Sequence, residues 1–303
     1  MRILCLHGYG TSSAILRSQL DAFIHRADAT HEFAFLDGEF ECPRGRGIGT
    51  FAQGPFRCFN TSFGPHAIQA SLDRLQAFIE DEGPFDGILG FSQGGSLALA
   101  CLLQMAGDMR AEGPGARPVF GFAVLVSTIV AFSPDPEFCG EIVTGLTERD
   151  REVLGMFPHD AGKNDYASLS GPPERAVFFR SLGRVLDTSL RGGFIAPGTP
   201  LGTEGLLSPD ARDALEELPR IVHPALLPPE LRIPIPTVHV VGAADDALLV
   251  GMSRLMEGLC AGPELTRSLV HDGGHDVPRK VGDVRALWAA VEWAAEEASR
   301  QVW

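Results

Sequence analysis

Six short apolar runs are spaced along the chain, with amphipathic stretches between or after them. The runs span Arg2 to Leu6, His31 to Leu36, Phe85 to Phe91, Val119 to Ser127, Pro236 to Val241 and Thr266 to His271. Each has the length of a strand buried on both faces, where the alternation of a half-buried strand disappears. The amphipathic stretches are Ala14 to Ala27, Ile68 to Glu82, Ser96 to Ala106, Leu248 to Cys260 and Val281 to Arg300, with apolar residues at helical spacing. Strand and helix in alternation predict an α/β protein with a doubly wound, mostly parallel sheet.

From about Ile129 to Pro234 that rhythm breaks and no strand pattern is visible. The region holds an apolar helical segment around Ala176 to Leu190, the Gly/Pro-rich stretch Gly192 to Gly198, and the proline-dense run His223 to Pro236. So long an excursion exceeds the usual connection, which leaves an ordinary long crossover as the weaker alternative. The expected division is a core built from 1–128 and 235–303, with 129–234 inserted as a helical cap.

Composition and charge then remove whole classes of function. The 303 residues carry 25 Lys+Arg against 39 Asp+Glu, a formal net charge of -14, and no basic tract offsets it. Such a chain repels a polyanion, so nucleic acid is not an expected partner. No apolar run approaches the roughly 20 residues of a membrane helix, and the opening run is too short for a signal-peptide core. The six cysteines are scattered without a CxxC pair, as free thiols in a reducing compartment are, and the expected location is cytoplasmic. The nine histidines form no HxH or HExxH, and no phosphate-binding glycine loop follows a strand, so no metal or cofactor is expected.

Gly90-Phe91-Ser92-Gln93-Gly94 is the sharpest local signal. Between a strand and a helix, a GxSxG serine sits on a turn so tight that side chains two residues away would strike neighbouring backbone. A serine hydroxyl needs a base to take its proton and a carboxylate to orient that base. His275 lies in a turn after the last predicted strand. His271 competes, but it ends the apolar run Ser268 to Val270 and reads as a strand-end residue. For the carboxylate, Asp245 completes a Gly-x-x-Asp turn after the strand ending at Val241, whereas Asp246 is placed to cap the next helix. Backbone amides of Gln93, directly after the serine, and of Tyr9, in the turn His7-Gly8-Tyr9-Gly10, are the expected oxyanion donors.

Leu4-Cys5-Leu6-His7-Gly8-Tyr9-Gly10, Phe35-Leu36-Asp37-Gly38, Gly90 to Gly95, Gly242 to Asp245 and Gly274-His275-Asp276-Val277-Pro278 together resemble, in this order, the fungal serine hydrolase family. That family includes the thioesterase that releases a polyketide chain in lovastatin biosynthesis. The resemblance implies an α/β-hydrolase fold, Ser92, Asp245 and His275 as a catalytic triad, and cofactor-free cleavage of an ester or thioester, with polyketide-type secondary metabolism as the setting. The chain departs from compact members in the long segment 129–234.

The expected reaction is hydrolysis of a small-molecule acyl ester or thioester through a Ser92 acyl-enzyme. Two alternatives are transfer to an internal nucleophile, giving a lactone or ring, and a binding protein that has lost catalysis. Phe51, Phe56 and Phe59, with Phe178, Leu182 and their neighbours Val177, Val185 and Leu186, are expected to line an acyl pocket. Arg44, Arg46 and Arg57 are candidates for docking an acidic acyl carrier protein.

Overall fold

The computed structural model describes residues 1–27, 29–155, 171–192, 206 and 212–301. Its centre is a six-stranded sheet in the spatial order Thr266–His271, Thr237–Gly242, Phe122–Val126, Gly87–Phe91, Arg2–Leu6 and Glu32–Leu36. Every pairing is parallel. From Arg2–Leu6 the chain first steps outward to Glu32–Leu36, then returns to the other side at Gly87–Phe91 and continues away. The order of strands therefore reverses between Arg2–Leu6 and Gly87–Phe91, and a crevice opens at their carboxyl ends.

Alternation along the strands divides the core into two layers. Leu4, Leu6, Ile88, Ala123 and Leu125 face one layer, with Ile68, Leu72 and Leu75 of helix Pro65–Glu82 and Leu99 and Leu102 of helix Gln93–Glu112. Ile3, Cys5, Leu89, Phe91, Val124, Val126, Val238 and Val240 face the other, against Phe23 and helix Val281–Arg300. There Trp288 stacks on Phe23 with ring centroids 4.5 Å apart and donates its indole N–H to the Phe23 carbonyl at 2.7 Å. The three strands at the centre are buried along their whole length, which is why they read as continuous apolar runs.

All six expected strands are present: Arg2–Leu6 and Thr266–His271 keep the expected limits, Glu32–Leu36, Gly87–Phe91 and Phe122–Val126 are shorter, and Thr237–Gly242 is shifted by one residue. Phe85 is buried without being in a strand; its ring packs on Phe78 at 6.2 Å. A core residue just before a strand is indistinguishable from the strand by apolarity alone. The helix expected from Ser96 starts at Gln93, because Gly94 and Gly95, poor helix formers, occupy its first turn for a reason other than propensity. The stretch expected as one helix from Ala14 is two, Ser13–Gln19 and Asp21–Ile24, meeting at Leu20.

Between Phe122–Val126 and Thr237–Gly242 the described residues are mainly helical, the longest helix being Pro173–Gly192. Contrary to the sequence reading, this segment also contains strand: Phe132–Ser133 pairs antiparallel with Arg220–Ile221. The Val222 amide extends the ladder to the Ala131 carbonyl at 2.9 Å. Two-residue strands leave no periodic trace, so only the fold reveals this clasp between the outgoing and returning chain. Arg220, 3% exposed, secures it by donating to the carbonyls of Pro136, Leu218 and Leu215. Residues 193–198 of the Gly/Pro-rich stretch lie outside the described residues. Among the described residues, no helix is long and apolar enough to cross a membrane. A doubly wound parallel sheet covered by helices on both faces, with a sharp strand-to-helix turn at its centre, is an α/β-hydrolase fold.

Candidate active site

Ser92 stands between the end of strand Gly87–Phe91 and the first turn of helix Gln93–Glu112, with φ 52° and ψ -112°. This is a conformation that L residues rarely adopt and that the surroundings must enforce. The flanking glycines explain how. A Cβ at Gly90 would lie 2.5 Å from the Gly95 Cα, and one at Gly94 would lie 2.3 Å from the Leu6 carbonyl oxygen and 2.5 Å from that of His7. Both neighbours are backbone and cannot yield. Gly94 thus lets the elbow press directly on the end of the first strand, beside the turn that holds Tyr9.

Two loops meet the serine from the other side. The His275 Nε2 is 2.9 Å from Ser92 Oγ, and its Nδ1 is 2.8 Å from Asp245 Oδ2. A carboxylate accepts only, so Nδ1 carries the proton and Nε2 accepts from the serine hydroxyl. The second Asp245 oxygen accepts the Asp246 amide at 2.7 Å, so the carboxylate is fixed at both ends. The Asp246 side chain instead accepts from the Leu248 amide at 2.9 Å and caps helix Ala247–Glu257. His271 ends its strand, and its Nδ1 accepts the Gly273 amide at 3.1 Å, bracing the turn that carries His275.

The spacing between the two loops is set by backbone. Ala243 donates to the His271 carbonyl at 2.7 Å and Ala244 to that of Gly273 at 2.9 Å. A Cβ at Gly242 would lie 2.1 Å from the Gly274 carbonyl oxygen. Only glycine permits this crossing, and the crossing brings Asp245 within reach of His275.

Gln93 is the first residue of its helix, where a backbone N–H has no intrahelical carbonyl to bond. Its side chain is committed elsewhere: Oε1 accepts the Phe59 amide at 3.1 Å, and Nε2 donates to the carbonyl and side-chain oxygens of Asn60. Beneath the Tyr9 turn lies His7, fully buried. Its Nε2 accepts the Gly38 amide at 2.9 Å, which leaves Nδ1 to donate to the Gly8 carbonyl at 2.7 Å. Burial holds the His7 pKa below its ordinary value, so the ring is the neutral brace of the turn. Sequence reasoning missed the supporting parts played by His7 and Asn60. The His7-Gly8 pair was visible, but only the fold supplies the Gly38 partner.

Two clefts of about 410 Å³ each lie near these loops. The first has His275 in its wall, with Ser12, Ile15, Gln19, Ile48, Pro55 and Arg279. The second runs between helix Pro173–Gly192 and helix Ala247–Glu257, with Val130, Val177, Val185, Leu248, Met252 and Leu255. None of Phe51, Phe56, Phe59, Phe178 or Leu182 lines either cleft. Phe178 and Leu182 have no exposed surface and belong to the main core, because the most apolar stripe of a helix is the one that packs. Phe59 is buried against His7 with centroids 4.7 Å apart, Phe56 lies under the Arg44 guanidinium, and Phe51 is 98% exposed. Of the three arginines, Arg57 donates to the carbonyls of Gly38 and Glu39 and serves the loop itself. Arg44 and Arg46 are exposed, and Glu39 pairs with Arg74, not with them.

The family model described as "Serine hydrolase (FSH1)" matches residues 1–287. The chain belongs to this serine hydrolase family. It is 46% identical over 303 residues to Esterase alnB of Emericella nidulans, covering 100% of this chain and 99% of that protein. Serine hydrolase cnsH of Penicillium expansum is 32% identical over 256 residues, 83% of this chain and 94% of that one. Hydrolase FUB4 of Fusarium oxysporum is 31% identical over 284 residues, 92% of each. The protein is thus an esterase-type serine hydrolase with fungal relatives.

Proposed function

We propose that this hydrolase cleaves acyl esters or thioesters through a covalent intermediate on Ser92. The observation that carries the reading is the hydrogen-bond chain from Ser92 Oγ through both nitrogens of His275 to Asp245. In the first half-reaction Oγ attacks the substrate carbonyl while His275 Nε2 takes the hydroxyl proton. The amides of Tyr9 and Gln93 stabilise the oxyanion, and His275 returns the proton to the leaving oxygen or sulfur. Water, deprotonated by the same nitrogen, then attacks the acyl carbonyl and frees the acid and the Ser92 hydroxyl. Asp245 holds the imidazole in its working tautomer throughout.

The segment 129–234 acts in this reading as a cap, and the apolar cleft beneath helix Pro173–Gly192 receives the acyl chain. Leu248 in its wall is three residues past Asp245, so the cleft opens within about 11 Å of that residue at the chain's maximum reach. Medium or bulky acyl groups are preferred over acetyl. The fungal relatives named esterase and hydrolase support cleavage of an ester, and in this reading the product released or trimmed is a secondary metabolite of polyketide type. Arg44 and Arg46 then offer an acidic carrier protein a basic rim beside the His275 cleft. A fluorophosphonate probe tests the core of the reading: the wild type labels and Ser92→Ala does not. Failure of the folded wild type to label would leave a binding protein instead.

A further inference from the structure

The turn that carries Tyr9 rests on a small hairpin, and the hairpin contains two cysteines. Strand Phe40–Glu41 pairs antiparallel with Arg57–Cys58, placing Phe40 opposite Cys58. One step further, the Cys42 amide bonds the Phe56 carbonyl at 2.9 Å. Cys42 is two residues past Phe40, hence on the same face as Cys58 and its diagonal neighbour. All six cysteines are free thiols. We propose that Cys42 and Cys58 are a thiol pair that a hydroperoxide converts to a disulfide, and that this bond switches the hydrolase off by displacing the Tyr9 turn.

The two sulfurs occupy unequal environments. Cys42 is half-buried, and the Cys58 thiol, the Gly10 amide and the Tyr9 side chain lie within electrostatic reach of its sulfur. Those groups hold its pKa below the ordinary thiol value, with the Cys58 contact the largest cause. Cys58 is wholly buried, and the same contact together with burial pushes its pKa up. Cys42 is therefore the more readily ionised of the two sulfurs and Cys58 the less, the order of an attacking and a resolving thiol. The Cys42 sulfur attacks one peroxide oxygen. An S–O bond forms, the O–O bond breaks, and the departing hydroxide takes a proton to become water. The Cys58 sulfur then displaces the sulfenic oxygen, an S–S bond forms, and its proton leaves with that oxygen as a second water. Two thiols have given two electrons to one peroxide.

Diagonal neighbours in a hairpin lie about 7 to 8 Å apart at Cα, whereas a disulfide requires about 4.4 to 6.8 Å, so closing the bond must tighten the hairpin. The oxyanion turn has no slack to absorb this. Gly10 donates to the Arg57 carbonyl at 3.0 Å, Arg57 donates to that of Thr11 at 2.7 Å, and Gly45 donates to that of Gly10 at 2.8 Å. Gly10 has φ +67°, and a Cβ there would lie 2.1 Å from the Gly45 nitrogen. The bond also takes from Tyr9 the sulfur that its side chain contacts. The effect on rate rests on the oxyanion role proposed above for the Tyr9 amide.

The test uses the full chain, reduced, freed of reductant and treated with a few equivalents of hydrogen peroxide. The intact mass should fall by about 2 Da, and a map without reductant should join the Cys42 and Cys58 peptides. Hydrolysis of a nitrophenyl acyl ester should fall about tenfold or more and return with dithiothreitol, since a lost oxyanion donor costs at least that much. Cys42→Ser should form no such link and keep its rate under the same peroxide. Cys58→Ser should stop at a Cys42 sulfenic acid that dimedone traps. The proposal is overturned by absence of the Cys42–Cys58 link in the folded wild type, by a link that leaves the rate unchanged, or by equal loss of rate in Cys42→Ser. Fluorophosphonate labelling of the reduced protein separates the two readings. Without labelling the hydrolase reading falls and the switch with it; labelled protein without the link loses only the switch.

Discussion

The loops at the carboxyl edge of the sheet and the segment between Ser127 and Pro236 are held by different forces. At the edge, backbone meets backbone. Gly90 lies against Gly94 and Gly95, Gly94 against Leu6 and His7, and Gly242 against Gly273 and Gly274, and in each case a single methyl would collide. In the segment, apart from a two-residue backbone clasp at its base, the hold comes from side chains: Phe178, Phe179, Leu182 and Leu186 sink into the core. Backbone contact fixes a geometry to tenths of an ångström, whereas side-chain packing tolerates substitution at conserved volume. The first is suited to holding a nucleophile, and the second leaves a cleft whose shape sequence changes can alter.

The sharpest contrast is expected within the edge itself. Asp245→Asn should lower kcat/KM by about 10⁴-fold with the fold intact, because the imidazole is left in the wrong tautomer. Asp246→Asn, a change between two good helix caps, should alter the rate less than about threefold. Steady-state kinetics with circular dichroism on both variants checks this, and a reversed order would move the carboxylate to Asp246.

The segment should respond in stability instead. Leu182→Ala removes a side chain with no exposed surface and should cost about 2 to 5 kcal/mol in denaturant unfolding. The folded variant should keep kcat/KM for an acetyl ester within about threefold, since acetyl does not reach the cleft under the helix. A variant that folds normally and loses the acetyl activity would join the two regions that the comparison separates.

Acid should weaken the body between them. His239, in the strand that leads to Asp245, is 1% exposed, and burial pushes its pKa down to about 4. Below about 6.5 the unfolded chain binds a proton that the folded one refuses, so stability falls as pH drops towards 4. Over that window the loss is on the order of 3 kcal/mol. His239→Gln should flatten the profile of unfolding free energy between pH 6.5 and 4; an unchanged slope would assign the loss to other groups.

The smallest effect concerns selection. Val177→Trp should fill the cleft between helix Pro173–Gly192 and helix Ala247–Glu257 and lower the octanoyl-to-acetyl ratio of kcat/KM by about tenfold, the value of one or two methylene contacts. A ratio that does not move would place the acyl chain in the His275 cleft.

This division also separates what was legible in the sequence from what was not. The central strands announced themselves because burial on both faces leaves no polar positions in them. The candidate residues Ser92 and Asp245 were readable because tight turns need glycine at fixed offsets, and those glycines stand at 90, 94 and 242, while His275 follows the last strand in the loop where the base is expected. The cleft residues were legible only in part: of the apolar residues expected on the helix, Val177 and Val185 stand in the cleft wall, whereas Phe178 and Leu182 pack in the core. Periodicity marks the face of a helix that packs and not the flank that borders a cleft. The Phe132–Ile221 clasp and the His7–Gly38 brace join positions 89 and 31 residues apart, where no local pattern speaks.

Mass measurement of the intact protein during turnover tests the central claim most directly. With a slowly hydrolysed acyl ester or pantetheine thioester, quenched in acid, the wild type should gain the mass of one acyl group, and peptide mapping should place it on Ser92. The adduct should decay as free acid appears and be absent from Ser92→Ala. Product formed by the wild type with no adduct at any time, or an adduct that persists in Ser92→Ala, would contradict a Ser92 acyl-enzyme.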